Sequence, residues 1–180
     1  MPCLAGHVDA RVVWALRHSF YKALAGRLEG IGYLGRPSFV KGFRRLHACA
    51  GLGIFPGWRI EIIGGRVEMG RNVRIGNNLL LNCGSMVTIG DDVTISGNVF
   101  IGTTDFEISA DLRESFRDWK TVERPVHIGQ GSFIGFGAVL LPGTVLGAGC
   151  VVGANAVVRG EYPSGSVIAG NPARTLRTRS

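Results

Sequence analysis

The sequence predicts an all-β chain wound as a parallel β-helix, on three observations. An aliphatic residue returns at every sixth position: Ile63, Met69, Ile75 and Leu81, then Ile89, Ile95 and Ile101 after a two-residue slip, and after a break Ile128, Ile134, Leu140, Leu146, Val152 and Val158. Glycine directly follows most of these anchors, as at Gly64, Gly70, Gly76, Gly90, Gly129, Gly135 and Gly147. Four places after the anchors come mostly small or β-branched residues, among them Val67, Val73, Ser85, Val93, Ala138 and Cys150. A period of six matches neither a helix nor an alternating strand, and hexapeptide repeats of this kind mark a β-helix. Each hexad supplies one short strand and a corner. The anchor packs inward, the small residue fits beside it in a narrow prism, and the glycine is expected to take corner angles that a Cβ would penalise. Stacked coils then share one core and bond backbone to backbone from coil to coil.

Taken in order, the chain opens with a helix over residues 8–29. Val12, Val13, Leu16, Phe20, Leu24 and Leu28 recur at helical spacing, interleaved with Arg11, Arg17, Lys22 and Arg27. Asp9 is placed to cap its start and Gly30 follows its end. Such a helix either packs over the end or side of the β-helix, hiding an open edge, or lies on a membrane surface near a lipid-carried substrate. Residues 31–58 bring Arg36, Lys41, Arg44 and Arg45 together among glycines and read as an irregular first coil. Two units follow: 1–58, a helix with an irregular coil, and 59–180, the β-helix. Within the second unit, residues 107–126 form a polar loop holding Trp119, and residues 164–180 a tail. Flanked by in-phase coils, the loop is expected to bulge from a corner; loops this long in a compact domain are usually functional or disordered.

Composition narrows the function. The 28 glycines alone would suggest a flexible chain, but 46% hydrophobic content argues against disorder. A net charge of +7 attracts phosphates. No stacking-aromatic or zinc-finger spacing points to nucleic acid, so none is expected as a partner. The four cysteines show no paired spacing, and Cys150 falls at a core position of the repeat. With no secretory leader pattern at the start, the expected setting is reducing cytoplasm. The uncharged stretch 128–158 has the hydropathy of a membrane span, yet its hexad glycines, Pro142 and many valines suit strands. Gly129-Gln130-Gly131 and Gly147-Ala148-Gly149 precede no helical pattern, which excludes a dinucleotide loop.

Three segments carry a family likeness: Thr104-Asp105-Phe106, then Arg124-Pro125-Val126-His127-Ile128-Gly129, then Val158-Arg159 followed by Ala169-Gly170-Asn171-Pro172-Ala173-Arg174. With the hexads, they resemble the hexapeptide-repeat acyltransferases, in particular the galactoside, maltose and polysaccharide O-acetyltransferase branch. The resemblance implies a left-handed parallel β-helix and a homotrimer with acetyl-CoA in clefts between neighbouring subunits. It also implies a saccharide acceptor, as a nucleotide-sugar or a lipid-linked glycan. It places the CoA phosphates on Arg159, Arg174 and Arg177, and the pantetheine arm along corners around Gly135 and Ala154. Guanidinium forks suit phosphate oxygens.

The family's general base is a histidine directly after Thr-Asp-Phe, where this chain has Glu107. A base taking a proton from a sugar hydroxyl works best with a pKa near operating pH, and free glutamate lies about two units below free histidine. Burial and the charge of Asp105 could raise it. His127, where the chain rejoins the prism, is the other candidate. Asn82 stands where the repeat has glycine, and could hold acceptor hydroxyls or cap its own turn. The leading expectation is therefore an acetyl-CoA-dependent O-acetyltransferase of surface polysaccharide synthesis, cytoplasmic or peripheral at the inner face of the membrane. The alternative is a catalytically impaired binding or scaffolding homotrimer of the same fold. A metalloenzyme on this fold needs several histidines around the repeat, and only His127 is available, so no metal is expected.

Overall fold

The computed structural model describes residues 5–179. One helix, α1 (Ala5–Leu24), precedes a left-handed parallel β-helix of about seven turns. Its strands form three parallel faces. The first stacks Arg27–Leu28, Leu46–Ala48, Arg66–Met69, Met86–Ile89, Val126–Ile128, Val145–Leu146 and Glu161–Tyr162. The second stacks Tyr33–Leu34, Gly53–Ile54, Arg74–Ile75, Thr94–Ile95, Phe133–Ile134, Val151–Val152 and Ser166–Gly170, closed by the antiparallel return of Ala173–Thr178. The third stacks Phe39–Lys41, Arg59–Ile62, Leu80–Cys83, Phe100–Gly102, Val139–Leu140 and Val157–Val158.

The core is a set of vertical columns. Ile54, Ile75, Ile95, Ile134, Val152 and Ile168 pair position for position up the second face, and all are buried. Each such side chain stabilises the stack by about 1.5–3 kcal/mol relative to an exposed one.

From Met69 to Val158 the anchors are buried in the phase the sequence suggests, but the first anchor and the corner differ. Ile63 is 55% exposed, and Ile62 is the inward residue. Strands Arg59–Ile62, Arg66–Met69, Leu80–Cys83 and Met86–Ile89 each bury their second and fourth residues. The slip at residues 83–87 has the same cause: Cys83 is buried and Ser85 is not. Coils before the loop run twenty or twenty-one residues, Ile75 pairing with Ile95 and Ile54 with Ile75, and coils after it eighteen and then sixteen, Ile134 pairing with Val152 and Val152 with Ile168.

The glycines after the anchors are not the left-handed residues. That conformation falls three places after the anchor, at Asn72, Asn78, Asp92, Asn98 and Asn155, whose short polar side chains tolerate it. Gly129 and Gly135 are required by close approach instead. A Cβ at Gly129 would lie 2.4 Å from the Gly147 carbonyl carbon, and one at Gly135 would lie 2.6 Å from the Ala154 nitrogen.

Helix α1 ends at Leu24, and Arg27–Leu28 is already the first strand, so the expected helix over 8–29 is too long at its end. It begins ahead of Asp9, which therefore lies inside it. Residues 31–58 form regular coils rather than an irregular one, and stacking begins well before residue 59. The helix covers the open edge of the first coil. Arg17 Nη1 donates to the Leu34 carbonyl at 3.4 Å, and Tyr21 sits edge-on to Trp58 and tilted on Phe43. Trp58 is fully buried and donates its Nε1–H to the Gly35 carbonyl at 2.8 Å. His18 is buried beside Gly32, and burial, then Lys22, lowers its pKa.

Candidate active site

The loop at residues 107–126 is a hairpin arm leaving the corner between the third and first faces. Thr104–Phe106 pairs antiparallel with Thr121–Glu123, in register Thr104 with Glu123 and Phe106 with Thr121. The root is closed where Arg124 N–H donates to the Thr103 carbonyl at 2.8 Å. Further out, a 3₁₀ turn (Phe116–Asp118) starts at Ser115, whose side chain accepts the Arg117 N–H. Phe116 packs on Phe106 at 4.9 Å and on Trp119 at 5.5 Å, which gives the arm a small apolar centre of its own.

Alternation along the extended segment sends Asp105 and Glu107 to one side, opposite Thr104 and Phe106. Asp105 makes an ion pair with Arg159, on the corner leaving the last strand of the third face. The Phe106 N–H, and after it Arg159, hold the Asp105 carboxyl below the usual carboxylate range. Glu107 is exposed, and its backbone N–H donates to the Lys120 carbonyl at 2.9 Å. His127 is exposed on the outward side of the first face, between Thr88 and Val145. No hydrogen bond joins it to Asp105 or Glu107 among the described residues.

Asn82 is not a corner residue. It lies within strand Leu80–Cys83, outside the left-handed region, so it caps no turn. Its strand neighbour in register is Gly102, at the root of the arm, and its backbone carbonyl accepts the Thr103 N–H at 3.1 Å. Its Oδ1 is buried and accepts no hydrogen bond. Buried acceptors in native proteins are nearly always satisfied, so this atom is suited to a donor brought by a ligand.

Two further groups shape this corner without having been singled out in the sequence. Thr103 is fully buried, and its Oγ1 accepts from Gly84 N–H at 2.8 Å and Ser85 N–H at 3.1 Å, pinning the longer corner to the root of the arm. The Glu123 carboxylate lies against Gly84, where a Cβ would fall 1.9 Å from Oε1. The doublet Thr103-Thr104 ahead of the loop is the only trace of this in the sequence.

The residues expected to hold CoA fall at two corners. Gly135 and Ala154 stack in successive coils at the corner between the second and third faces. Arg159 stands at the other corner, followed by Gly160 at φ +96° with open space where a Cβ would be. Tyr162 Oη bonds the Arg159 and Ala173 carbonyls at 3.3 Å each, tying the last strand to this corner. Arg174 and Arg177 lie exposed on that strand, and Arg174 Nη1 donates to the Ala173 carbonyl. Arg177 is farther along it, opposite Val167. Arg179, unremarked in the sequence, donates to the Gly149 carbonyl at 3.1 Å. The exposed guanidinium groups and the open Gly160 corner suit a phosphate-bearing ligand. Cys83 and Cys150 are buried, and burial lifts both thiols, Cys83 to about 11, which leaves neither a ready thiolate.

A family model for the bacterial transferase hexapeptide, six repeats, matches residues 125–160. No curated protein matches the sequence. Among solved structures, AntD, an N-acyltransferase from Bacillus cereus in complex with dTDP and 3-hydroxybutyryl-CoA, aligns with a TM-score of 0.74 at 17% identity over 91% of this chain and 88% of that one. A hexapeptide-repeat-containing acetyltransferase from Vibrio cholerae O1 biovar eltor, complexed with acetyl coenzyme A, aligns with a TM-score of 0.65 at 27% identity over 91% and 76%. A maltose O-acetyltransferase from Clostridium difficile 630 aligns with a TM-score of 0.62 at 20% identity over 96% and 88%. Residues 125–160 thus carry the bacterial transferase hexapeptide repeat, and the chain as a whole shares the left-handed β-helix fold of these hexapeptide-repeat acyltransferases.

Proposed function

We propose that the protein is a cytoplasmic, homotrimeric acetyl-CoA-dependent O-acetyltransferase that esterifies a saccharide hydroxyl in surface polysaccharide synthesis. The ion pair between Asp105 and Arg159 carries this reading. It joins the strand bearing one candidate base to the corner bearing a candidate phosphate ligand, so that both ends of an acyl donor would have partners on one flank.

In the proposed reaction the acceptor oxygen attacks the thioester carbonyl carbon while the base removes its proton. The carbon–sulfur bond then breaks, the electron pair leaves on sulfur, and proton return gives free CoA and an acetyl ester. Glu107, beside Asp105, or His127 acts as the base. Asn82 Oδ1 accepts a hydroxyl of the acceptor. Arg159, Arg174 and Arg177 bind the phosphates, and the corners at Gly135 and Ala154 carry the pantetheine arm. A second reading, a CoA- or sugar-binding trimer without turnover, is supported by the exposed Glu107 standing where the related branch has histidine.

Calorimetric titration with CoA tests the assignment. Charged hydrogen bonds contribute about 1.5–3 kcal/mol each, so alanine at Arg174 should weaken binding roughly ten- to hundredfold. Removing the 3′-phosphate of the ligand should reproduce at least one of the three arginine losses. Unchanged affinity in the Arg159→Ala, Arg174→Ala and Arg177→Ala variants would refute it.

A further inference from the structure

We propose that the end of the β-helix covered by α1 is a docking surface for a bilayer containing anionic lipid. Among the described residues, helix α1 caps the prism through Arg17, His18 and Tyr21. Its apolar stripe faces the other way: Val12 is 60% exposed, Leu16 66%, Phe20 65% and Leu24 46%. These residues are four apart, so they form one continuous ridge. Ile31, on the first corner beyond the helix, is 80% exposed. An amphipathic helix of globular proteins ordinarily turns such a ridge inward; here the fold leaves it outward.

Charge selects the occupant. Residues 1–58 contain eight arginines and lysines against two carboxylates, Asp9 and Glu29, so this third of the chain holds six of the seven net positive charges. Glu29 is paired with Arg27 at 2.5 Å. Lys22 on the helix and Arg36, Lys41 and Arg44 on the adjoining coils are exposed. A second copy meeting this end would bring like charges together. An anionic lipid surface meets both requirements, apolar depth for the ridge and negative charge for its border. No described helix is long and apolar enough to cross a membrane, so the contact is peripheral. The inference deepens the proposed reaction, by presenting the site to a lipid-linked saccharide, and rests on that reading only for its purpose. In a homotrimer with parallel axes, three ridges would face one plane, and their weak contacts would multiply.

The full-length protein is sedimented with vesicles of phosphatidylglycerol and phosphatidylcholine in equal parts, and with phosphatidylcholine alone. Wild type should sediment with the anionic vesicles and far less with the neutral ones. Leu16→Asp with Phe20→Asp should remove binding while leaving melting temperature and CoA affinity unchanged. Reversing Arg36, Lys41 and Arg44 to glutamate should weaken binding at least about a hundredfold, at roughly fivefold for each cation withdrawn from an anionic surface. If the double variant does not fold, the charge reversal alone decides. The proposal is overturned if wild type stays in the supernatant with both vesicles, or if a folded variant sediments like wild type. It is also overturned if the double variant turns an oligomer into monomers by light scattering, which would assign the ridge to a second copy. CoA affinity of wild type, measured separately, reports on the transferase reading without affecting this outcome.

Discussion

Arg159 and Asp105, 54 positions apart in sequence, form an ion pair that fastens the arm to the last coils of the β-helix. The two side chains are 48% and 36% exposed, so solvent screening limits the pair to about 0.2–1 kcal/mol. Its importance is positional, since it fixes where the Asp105–Glu107 segment lies relative to the arginines of the last strand.

Acid should release this tether. The Asp105 pKa is depressed in the folded protein, first by the Phe106 N–H and then by Arg159. The contribution is therefore complete above the ordinary carboxylate value and is lost as pH falls through the depressed one. The protection factor of the Phe106 amide, its exchange rate relative to the intrinsic rate at the same pH, should be high near neutrality and fall below the usual aspartate range. Asp105→Asn should show fast exchange at neutral pH already. Equal protection in both proteins across the range would contradict the tether.

Trp58 should govern stability at the capped end. It is fully buried, hydrogen-bonded to Gly35 and packed between Tyr21 of α1 and Phe43. Trp58→Ala should cost about 3–5 kcal/mol in denaturant unfolding. A loss under about 1 kcal/mol would mean that the helix is not anchored there.

The base can be assigned by exchange of side chains. If Glu107 serves, Glu107→Gln should abolish turnover with CoA still bound, and Glu107→His should keep or raise it. If His127 serves, His127→Ala should abolish turnover and Glu107→Gln should cost little. General base help is worth about 10²–10⁴-fold, which steady-state assays resolve easily. An inert wild type whose Glu107→His variant gains activity would favour binding without turnover, and equal rates in all of them would exclude both bases.

The hexads were legible because each anchor's burial is decided within its own coil. What was not legible depends on the distance between coils. The glycines after the anchors look like corner residues, but at Gly129 and Gly135 the next coil's backbone excludes a Cβ. Ile62 and Ile63 are indistinguishable by hydropathy, and only the four-residue strand decides which faces inward. The apolar spacing of α1 revealed a helix, yet not that its ridge points to solvent, because Tyr21 and His18 make the contacts. Asp105 and Arg159 could each be picked out, but their meeting depends on how coils of unequal length bring the arm over the last corner. Asn82 stood out as a departure from glycine, while the burial of its unpaired acceptor depends on the neighbouring coil, where Gly102 lies in register with it.

The arm departs and returns within a single corner, where Arg124 N–H meets the Thr103 carbonyl at 2.8 Å. The strand that follows it, Val126–Ile128, pairs with Met86–Ile89 of the preceding coil as if the arm were absent. The excursion is therefore a cassette: its length and chemistry can drift while the spindle of the protein keeps its register. Some twenty residues can thus be rewritten with no renegotiation of the interior.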